Sequence, residues 1–435
     1  MKIKVVHVLL LGLCINTLYA QNLLSEQEAV AKALKNNFDI QIATNIAQIS
    51  ANNNTIGNAG FLPSVNINAS QNGNINNTHQ IYFSGTEKEA SNALSNSLTA
   101  NIAMNWTIFD GMEMFMDKKR LQILENMGET QLHFTIENTV YQTIMAYYTC
   151  VNEQKKLDIL KEALAISKER KTIVMKRYSL GSASLPEVNQ SDIYLNADSA
   201  AYLNQLLRIM NAKSELNYIM GQEAGTSIEV ETEIPVTKGF LFHDILTKVQ
   251  NQNSEVNLMR QNMMISELEL KKSRSQLFPE ISVIGGYNTL KSESEVGILQ
   301  SNQTYGYNFG INASFPIFNG SAVRRNIKNN VLLYENSQIA LRQTEYNIQK
   351  ELLNLYNAYK TQLDLLKLAK NNLESATSNF NASMEIYKQG MLSEIEFREK
   401  QINLIEAENS LLNAQFQAKI SETALLLYTG ELVKE

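Results

Sequence analysis

Two patterns of apolar and polar residues run along this chain, and each occurs twice. The first has a period of two. Leu98, Ala100, Ile102, Met104, Trp106 and Ile108 fall on one side of a segment, and Thr99, Asn101, Ala103, Asn105 and Thr107 on the other. Further on, Tyr305, Tyr307, Phe309, Ile311, Ala313, Phe315 and Ile317 oppose Gly306, Asn308, Gly310, Asn312 and Ser314. Side chains of a strand point alternately to opposite faces, so both segments are predicted strands. Val65, Ile67 and Ala69 continue the pattern after Pro63, and Ile281, Val283 and Tyr287 after Pro279, which predicts strand hairpins over 61–109 and 277–318. The second pattern steps by four and three. From Ile327 it passes through Val331, Tyr334, Leu341, Ile348, Leu352, Leu355 and Tyr359 to Tyr387, and a return series runs from Leu404 to Tyr428. A mostly apolar seam held that long is a coiled-coil signature. Long helix pairs are expected over 111–220 and 320–430, and at about 1.5 Å per residue the longer member of each reaches roughly 100 Å.

The chain is two copies of one unit. Tyr178, Gly181 and Glu187 of "YSLGSASLPEVNQ" align with Tyr387, Gly390 and Glu396 of "YKQGMLSEIEFRE", all 209 positions apart, and the same offset carries "IFDG" ending at Gly111 onto "IFNG" ending at Gly320. Upstream the offset is 216, taking "NNFDI" from Asn36 to "QNSEV" from Gln252 and "FLPSVNI" to "LFPEISV". The repeats are expected at 21–221 and 242–435, each a helix, a strand hairpin and a long helix pair, with a connector at 222–241. Prolines fall at the joints: Pro63 and Pro279 before outgoing strands, Pro316 at the end of a returning one, Pro186 following the first-copy helical turn and Pro235 in the connector.

Composition narrows the setting. Residues 1–20 carry Lys2 and Lys4, an apolar run from Val5 to Leu13 and a terminal Ala20, the order of a secretory signal; the run is too short to span a bilayer. With the signal removed, the net charge of -6 becomes -8 and Cys150 is the sole cysteine, so no disulfide forms within the mature chain. The acidic balance does not suit nucleic-acid binding. Alternating strands also occur in half-buried sheets of water-soluble domains. A membrane barrel is favoured by strands of about ten residues or more with aromatics near their ends. Two hairpins leave open sheet edges, which a bilayer does not tolerate, so the chain must oligomerise to close a barrel. The polar stretches 73–95 and 289–303 are expected to be external loops.

The duplication, the hairpins flanked by Pro63 and Pro279, the "FDG" and "FNG" strand exits at Gly111 and Gly320 and the Tyr-x-x-Gly turns resemble the TolC family of outer-membrane efflux channels over essentially the whole mature chain. The resemblance implies a mixed α and β membrane protein. Three chains share one 12-stranded barrel, four strands each, continued by a periplasmic helical coiled-coil barrel. Ile102, Met104, Trp106, Tyr307, Phe309, Ile311 and Phe315 would face lipid. The turns would sit at the periplasmic tip, with Leu180, Gly181, Ser182, Gly390, Met391 and Leu392 offered to a periplasmic adaptor that joins the channel to an inner-membrane pump of the resistance-nodulation-division, ABC or a similar type. Glu396 and Glu399 match positions where family members place acidic residues at the tunnel mouth, and threefold symmetry would make them rings. Glu187 and Tyr387 match positions that tie neighbouring helix pairs shut, implying a Tyr–carboxylate bond between them. Two departures stand out: Leu392 replaces a basic latch residue, and Gln190 gives the first turn no second carboxylate. On spacing alone, Glu394, Glu396 and Glu399 equally describe a solvated helix face.

No motif for catalysis, cofactor or metal is found: His79, His133 and His243 are scattered and Cys150 stands alone. The remaining alternative to a channel is a secreted coiled-coil scaffold or adhesin without a pore, which leaves the paired strand segments unexplained. The cargo is not written in the chain.

Overall fold

The computed structural model describes residues 23–236 and 239–432; the signal segment lies outside them. The elements follow the duplication. Helices α1 (Glu26–Asn36) and α2 (Phe38–Asn53) lead into strands β1 (Ser64–Ile81) and β2 (Glu87–Phe109), then the long α3 (Glu113–Ser179) and its return α4 (Leu185–Ile219). The second copy repeats this as α5 (Phe242–Gln252), α6 (Ser254–Ser275), β3 (Glu280–Ser294), β4 (Ser301–Ser314), α7 (Ala322–Lys388) and α8 (Glu394–Thr429). Both long helices have 67 residues. No helix among the described residues is long and apolar enough to cross a membrane.

The single helix expected before each hairpin is two, broken by an asparagine. Asn37 caps α2 by accepting from the Asp39 and Ile40 amides, while its Nδ2 donates to the Ile219 carbonyl at 2.9 Å. Asn253 does the same for α6 and reaches the Tyr428 carbonyl, at the end of α8. One side chain therefore satisfies orphan groups at a helix start and a helix end together. The same two ends carry Gly221 and Gly430, with φ of 66° and 69°.

The four strands form one antiparallel sheet in the order β1-β2-β3-β4. Register settles its faces. Ile67 pairs with Ile102, Ile102 with Tyr287 and Tyr287 with Tyr307; the next row joins Val65, Met104, Gly285 and Phe309, and another Trp106, Val283 and Ile311. These residues share one exposed apolar face, where Tyr287 and Tyr307 meet edge to face at 5.0 Å. The other face is lined by asparagine and small residues, with Asn68 donating to Asn101 and Asn288 to Asn308 across neighbouring strands. Trp106 anchors the helical end of the apolar face through its indole N–H to the Phe61 carbonyl, and Phe315 lies one residue past β4.

The expected external loops are corrected. Most of 73–95 and 289–303 is strand, leaving only 82–86 and 295–300 as connections. Alternation of polarity reports one apolar surroundings and one wet; where both faces meet polar surroundings the alternation fades, while the backbone ladder continues.

The two helix-end glycines separate strain from collision. A Cβ on Gly221 would lie 2.4 Å from the Asn36 carbonyl oxygen, whereas one on Gly430 meets nothing closer than 3.5 Å. Gly221→Ala is expected to lower the melting temperature of the detergent-solubilised protein well beyond Gly430→Ala, whose cost is the left-handed backbone alone, about 1–2 kcal/mol. Equal shifts would show that the joint at Asn36 yields freely.

Candidate functional site at the helical tips

Both tips use one local device. Gly181 and Gly390 have φ of 77°, which lets the Ser182 and Met391 amides turn back to the Arg177 and Ile386 carbonyls at 2.8 and 3.2 Å. Three residues after each glycine a serine opens the return helix, and three later a glutamate completes a capping box. Glu187 accepts from the Ser184 amide and hydroxyl at 2.6 and 2.8 Å; Glu396 accepts from the Ser393 amide and hydroxyl at 3.0 and 2.6 Å. The Ser184 backbone N–H first, then its hydroxyl, holds the Glu187 carboxyl below its ordinary value. At Glu396 the Ser393 hydroxyl leads and the backbone follows.

The Tyr–carboxylate pairing is corrected. Tyr387 is fully buried, and its hydroxyl donates to Glu394 at 2.5 Å, while Glu187 is occupied in its own cap. Glu394 sits at the first position of α8, one turn from Tyr387 across the tip, whereas Glu187 belongs to the other helix pair. Burial, followed by the Glu394 carboxylate, raises the Tyr387 phenol well above its ordinary range. Leu392 is likewise half-buried against Phe380, Tyr387 and Phe397, whereas Leu180 and Met391 are exposed at 82% and 69%.

Beneath the tip lies a closed polar network joining the two helix pairs. Arg170 of α3, 1% exposed, pairs with Glu394 and donates to Gln401 Oε1 at 2.6 Å. Arg398 of α8 grips Asp198 of α4 with two bonds, 2.6 and 2.7 Å, and also donates to Gln401 Oε1 at 3.1 Å. Gln401 Nε2 donates to the Ala163 carbonyl and the Ser167 hydroxyl, and Ser167 in turn donates to Asp198. Two guanidinium cations, Arg170 buried and Arg398 partly so, are matched by two buried carboxylates, so the set is neutral. The rings of Phe397 and Tyr194 lie beside Arg170, Tyr194 also beside Arg398, and Tyr387 stacks on Phe397 at 4.5 Å. A buried ion pair gains little net stability over an apolar substitute, but removing one partner strands the other. Separating the two helix pairs would strand these charges, so the network acts as a clamp between them.

The structure brings Tyr387 and Glu394 together and leaves Glu187, Glu396 and Glu399 at the surface of their helix starts. Arg170, Asp198, Arg398 and Gln401 were missed in the sequence. Their numbers do not repeat at 209, so the duplication that exposed the turns is silent about them.

Two outcomes follow. Arg170→Met is expected to cost about 3–5 kcal/mol by leaving the Glu394 carboxylate buried and unpaired, with much of the loss recovered in Arg170→Met/Glu394→Gln; denaturant melts of single and double variants check this, and equal losses would deny the coupling. The capping glutamates have folded values below the ordinary 4.5, so their contribution is full above that value and is lost as pH falls through the folded one. Melting temperature followed from about pH 7 to about pH 3 should therefore fall less steeply for the Glu187→Gln/Glu396→Gln protein than for the native one.

Comparison with known proteins agrees with this architecture. The profile of the family described as outer membrane efflux protein matches residues 29–222 and 245–431. The cation efflux system protein CusC of Escherichia coli (strain K12) is 21% identical over 430 residues, covering 92% of this chain and 85% of that protein. Outer membrane protein TolC of Salmonella enteritidis is 19% identical over 365 residues, covering 80% and 72%. Among solved structures, the Campylobacter jejuni CmeC outer membrane channel superposes with a TM-score of 0.74 at 17% identity, covering 93% of this chain and 85% of that one. A crystal structure of CusC superposes at 0.75 and 17%, covering 93% and 91%.

Proposed function

The chain belongs to the outer membrane efflux protein family, and from that premise we propose that three copies form the exit duct of a tripartite efflux or type I secretion assembly, gated at its periplasmic mouth. The observation that carries the reading is what one copy leaves unfinished. The outer edges of β1 and β4 have no partner strand among the described residues, and the half of the sheet nearer the helices is apolar on one face. In lipid each unpaired backbone group costs several kcal/mol, so only closure with other copies makes such a sheet viable. Ile102, Met104, Trp106, Tyr307, Phe309, Ile311 and Phe315 would then meet the outer-membrane lipid, and the asparagine face the lumen.

The helices point the same way. Within the chain α3 packs on α2 and α6, and α6 also on α7. In the repeat, α2 corresponds to α6 and α3 to α7. The contact of α6 on α3 therefore calls for α2 of one copy on α7 of another. Apolar Ile42, Ile46 and Ile49 on α2 and Leu332, Leu333 and Ile339 on α7 are exposed and available for it.

At the tips, exposed Leu180 and Met391 beside Gly181, Ser182 and Gly390 give a helical hairpin of an adaptor an apolar foothold, and the adaptor links the duct to an inner-membrane pump. Leu392 takes part through the packing under the tip. Glu399, exposed and outside the capping boxes though paired with Lys400 at 3.2 Å, adds its carboxylate to the mouth, with Glu396 contributing from its cap. Relatives named for cation efflux and for toluene efflux match at 21% and 20% identity, which supports a duct that leaves the choice of cargo to other components.

Purified protein is expected to be a detergent-requiring trimer that conducts ions in planar lipid bilayers, with Glu399→Gln lowering cation preference while Glu396→Gln acts chiefly on stability. A detergent-independent monomer or a non-conducting filament would return the scaffold reading.

A further inference from the structure

The two strand hairpins share one register, and that makes the pairing of the chain's open sheet edges calculable. Shifting β3 by 216 positions and β4 by 209, the offsets of the repeat, carries the pairs Glu280–Ser314 through Ser292–Asn302 onto Ser64–Asn105 through Asn76–Ala93. The hairpins therefore agree residue for residue. A contact between hairpins occurs once among the described residues, β2 on β3, in constant register from Ser95–Ser294 to Thr107–Ser282. Its repeat equivalent is β4 of one copy on β1 of the next. The same shifts turn Trp106–Val283 into Phe315–Ile67, Ala100–Thr289 into Phe309–Gly73, Thr99–Leu290 into Asn308–Asn74 and Leu98–Lys291 into Tyr307–Ile75.

We propose that β4 of each copy joins β1 of the next in this register, with Phe309 over Gly73, Tyr307 against Ile75 and the amides of Asn308 and Asn74 paired, so that these residues align the copies. This rests on the trimer reading above and names the side chains that set its seam. Both faces of the sheet agree with it. Tyr307, Phe309, Gly73 and Ile75 share the face of Ile67 and Tyr287, while Asn308 and Asn74 share the other, and a slip of one residue would reverse every one of them. Ile75 is the lone aliphatic residue of the polar run "NGNINN" and is 67% exposed in one copy; beside Tyr307 it gains an aromatic cross-strand neighbour. Phe309 is 91% exposed, and a glycine opposite leaves its ring room to lie over the neighbouring backbone. On the amide face, Asn308 Oδ1 already accepts from Asn288, which leaves its Nδ2 to donate to Asn74. The asparagine ladder then continues from one copy into the next.

The test uses cysteine pairs on the amide face of the full-length protein, oxidised in detergent with copper phenanthroline, blocked with a maleimide and read on non-reducing denaturing gels. Cys150 is fully buried and does not compete. A disulfide needs Cα atoms about 4.4–6.8 Å apart, which directly opposed residues satisfy, whereas diagonal neighbours stand about 7–8 Å apart. Asn74→Cys/Asn308→Cys is expected to convert the chains into covalent oligomers, while Asn72→Cys/Asn308→Cys and Asn76→Cys/Asn308→Cys, each displaced by two residues, leave them as monomers. Asn68→Cys/Asn101→Cys, opposed within one hairpin, closes inside the chain and reports that the sheet has formed. Preferential linking by either displaced pair overturns the register while the trimer stands. If no pair joins copies although the hairpin pair closes, the edges do not meet, and the trimer reading falls together with the inference.

Discussion

Everything in this molecule depends on where backbone hydrogen bonds at the ends of the sheet find partners. Strands β1 and β4 expose continuous edges of 18 and 14 residues beside a face of aromatic and aliphatic side chains. Water would satisfy those edges but not the face, and lipid would satisfy the face but not the edges. Copies joined edge to edge satisfy both. Once the barrel is closed in this way, the helices hanging from Gly111 and Gly320 must also meet neighbours at fixed positions. The exposed stripes on α2, α4 and α7 are then interior surfaces of a larger body rather than faults in a small one.

The helical part solves a different problem. A seam of small and apolar residues repeated over 67 residues holds helices together but sets their register weakly, because many sliding arrangements bury similar area. Directional groups remove that freedom at chosen heights. Near the joints, Asn37 and Asn253 tie helix starts to helix ends, with Gly221 allowing a close approach at the first and Gly430 supplying the left-handed backbone at the second. Just below the tips, Arg170, Glu394, Asp198, Arg398 and Gln401 tie one helix pair to the other. Salt bridges at the surface would be screened and soft; burying these among Tyr194, Phe397 and Tyr387 makes departure from one geometry costly.

Much of the fold was legible because it rests on periodicity. Period two marked the strands where one face turns to apolar surroundings, period three and a half marked the helices, and the offset of 209 aligned the turns. The strand ends at Ile81 and Ser294 were not legible, since their Asn- and Ser-rich sequence alternates in nothing that hydropathy measures. At the site, the turn glycines were legible from their place in the repeat. The roles of the glutamates were not: Glu396 looked like a free acid and is a cap, and Glu394 looked like its solvated neighbour and is the buried anion.

The sequence by itself determined the duplication, the element types, the position of both reversals and the need for more than one copy, because each follows from local spacing or from unpaired surface that any arrangement must cover. Only the tertiary structure decided which carboxylate Tyr387 meets and which cations neutralise it. Tyr387 and Glu394 are seven positions apart across a reversal, and the ion pairs join residues some 200 to 230 positions apart, in both cases on helices whose relative rotation no single helix specifies. A hundred-degree turn between successive residues makes a neighbour in sequence, such as Glu396 beside Glu394, a stranger in space.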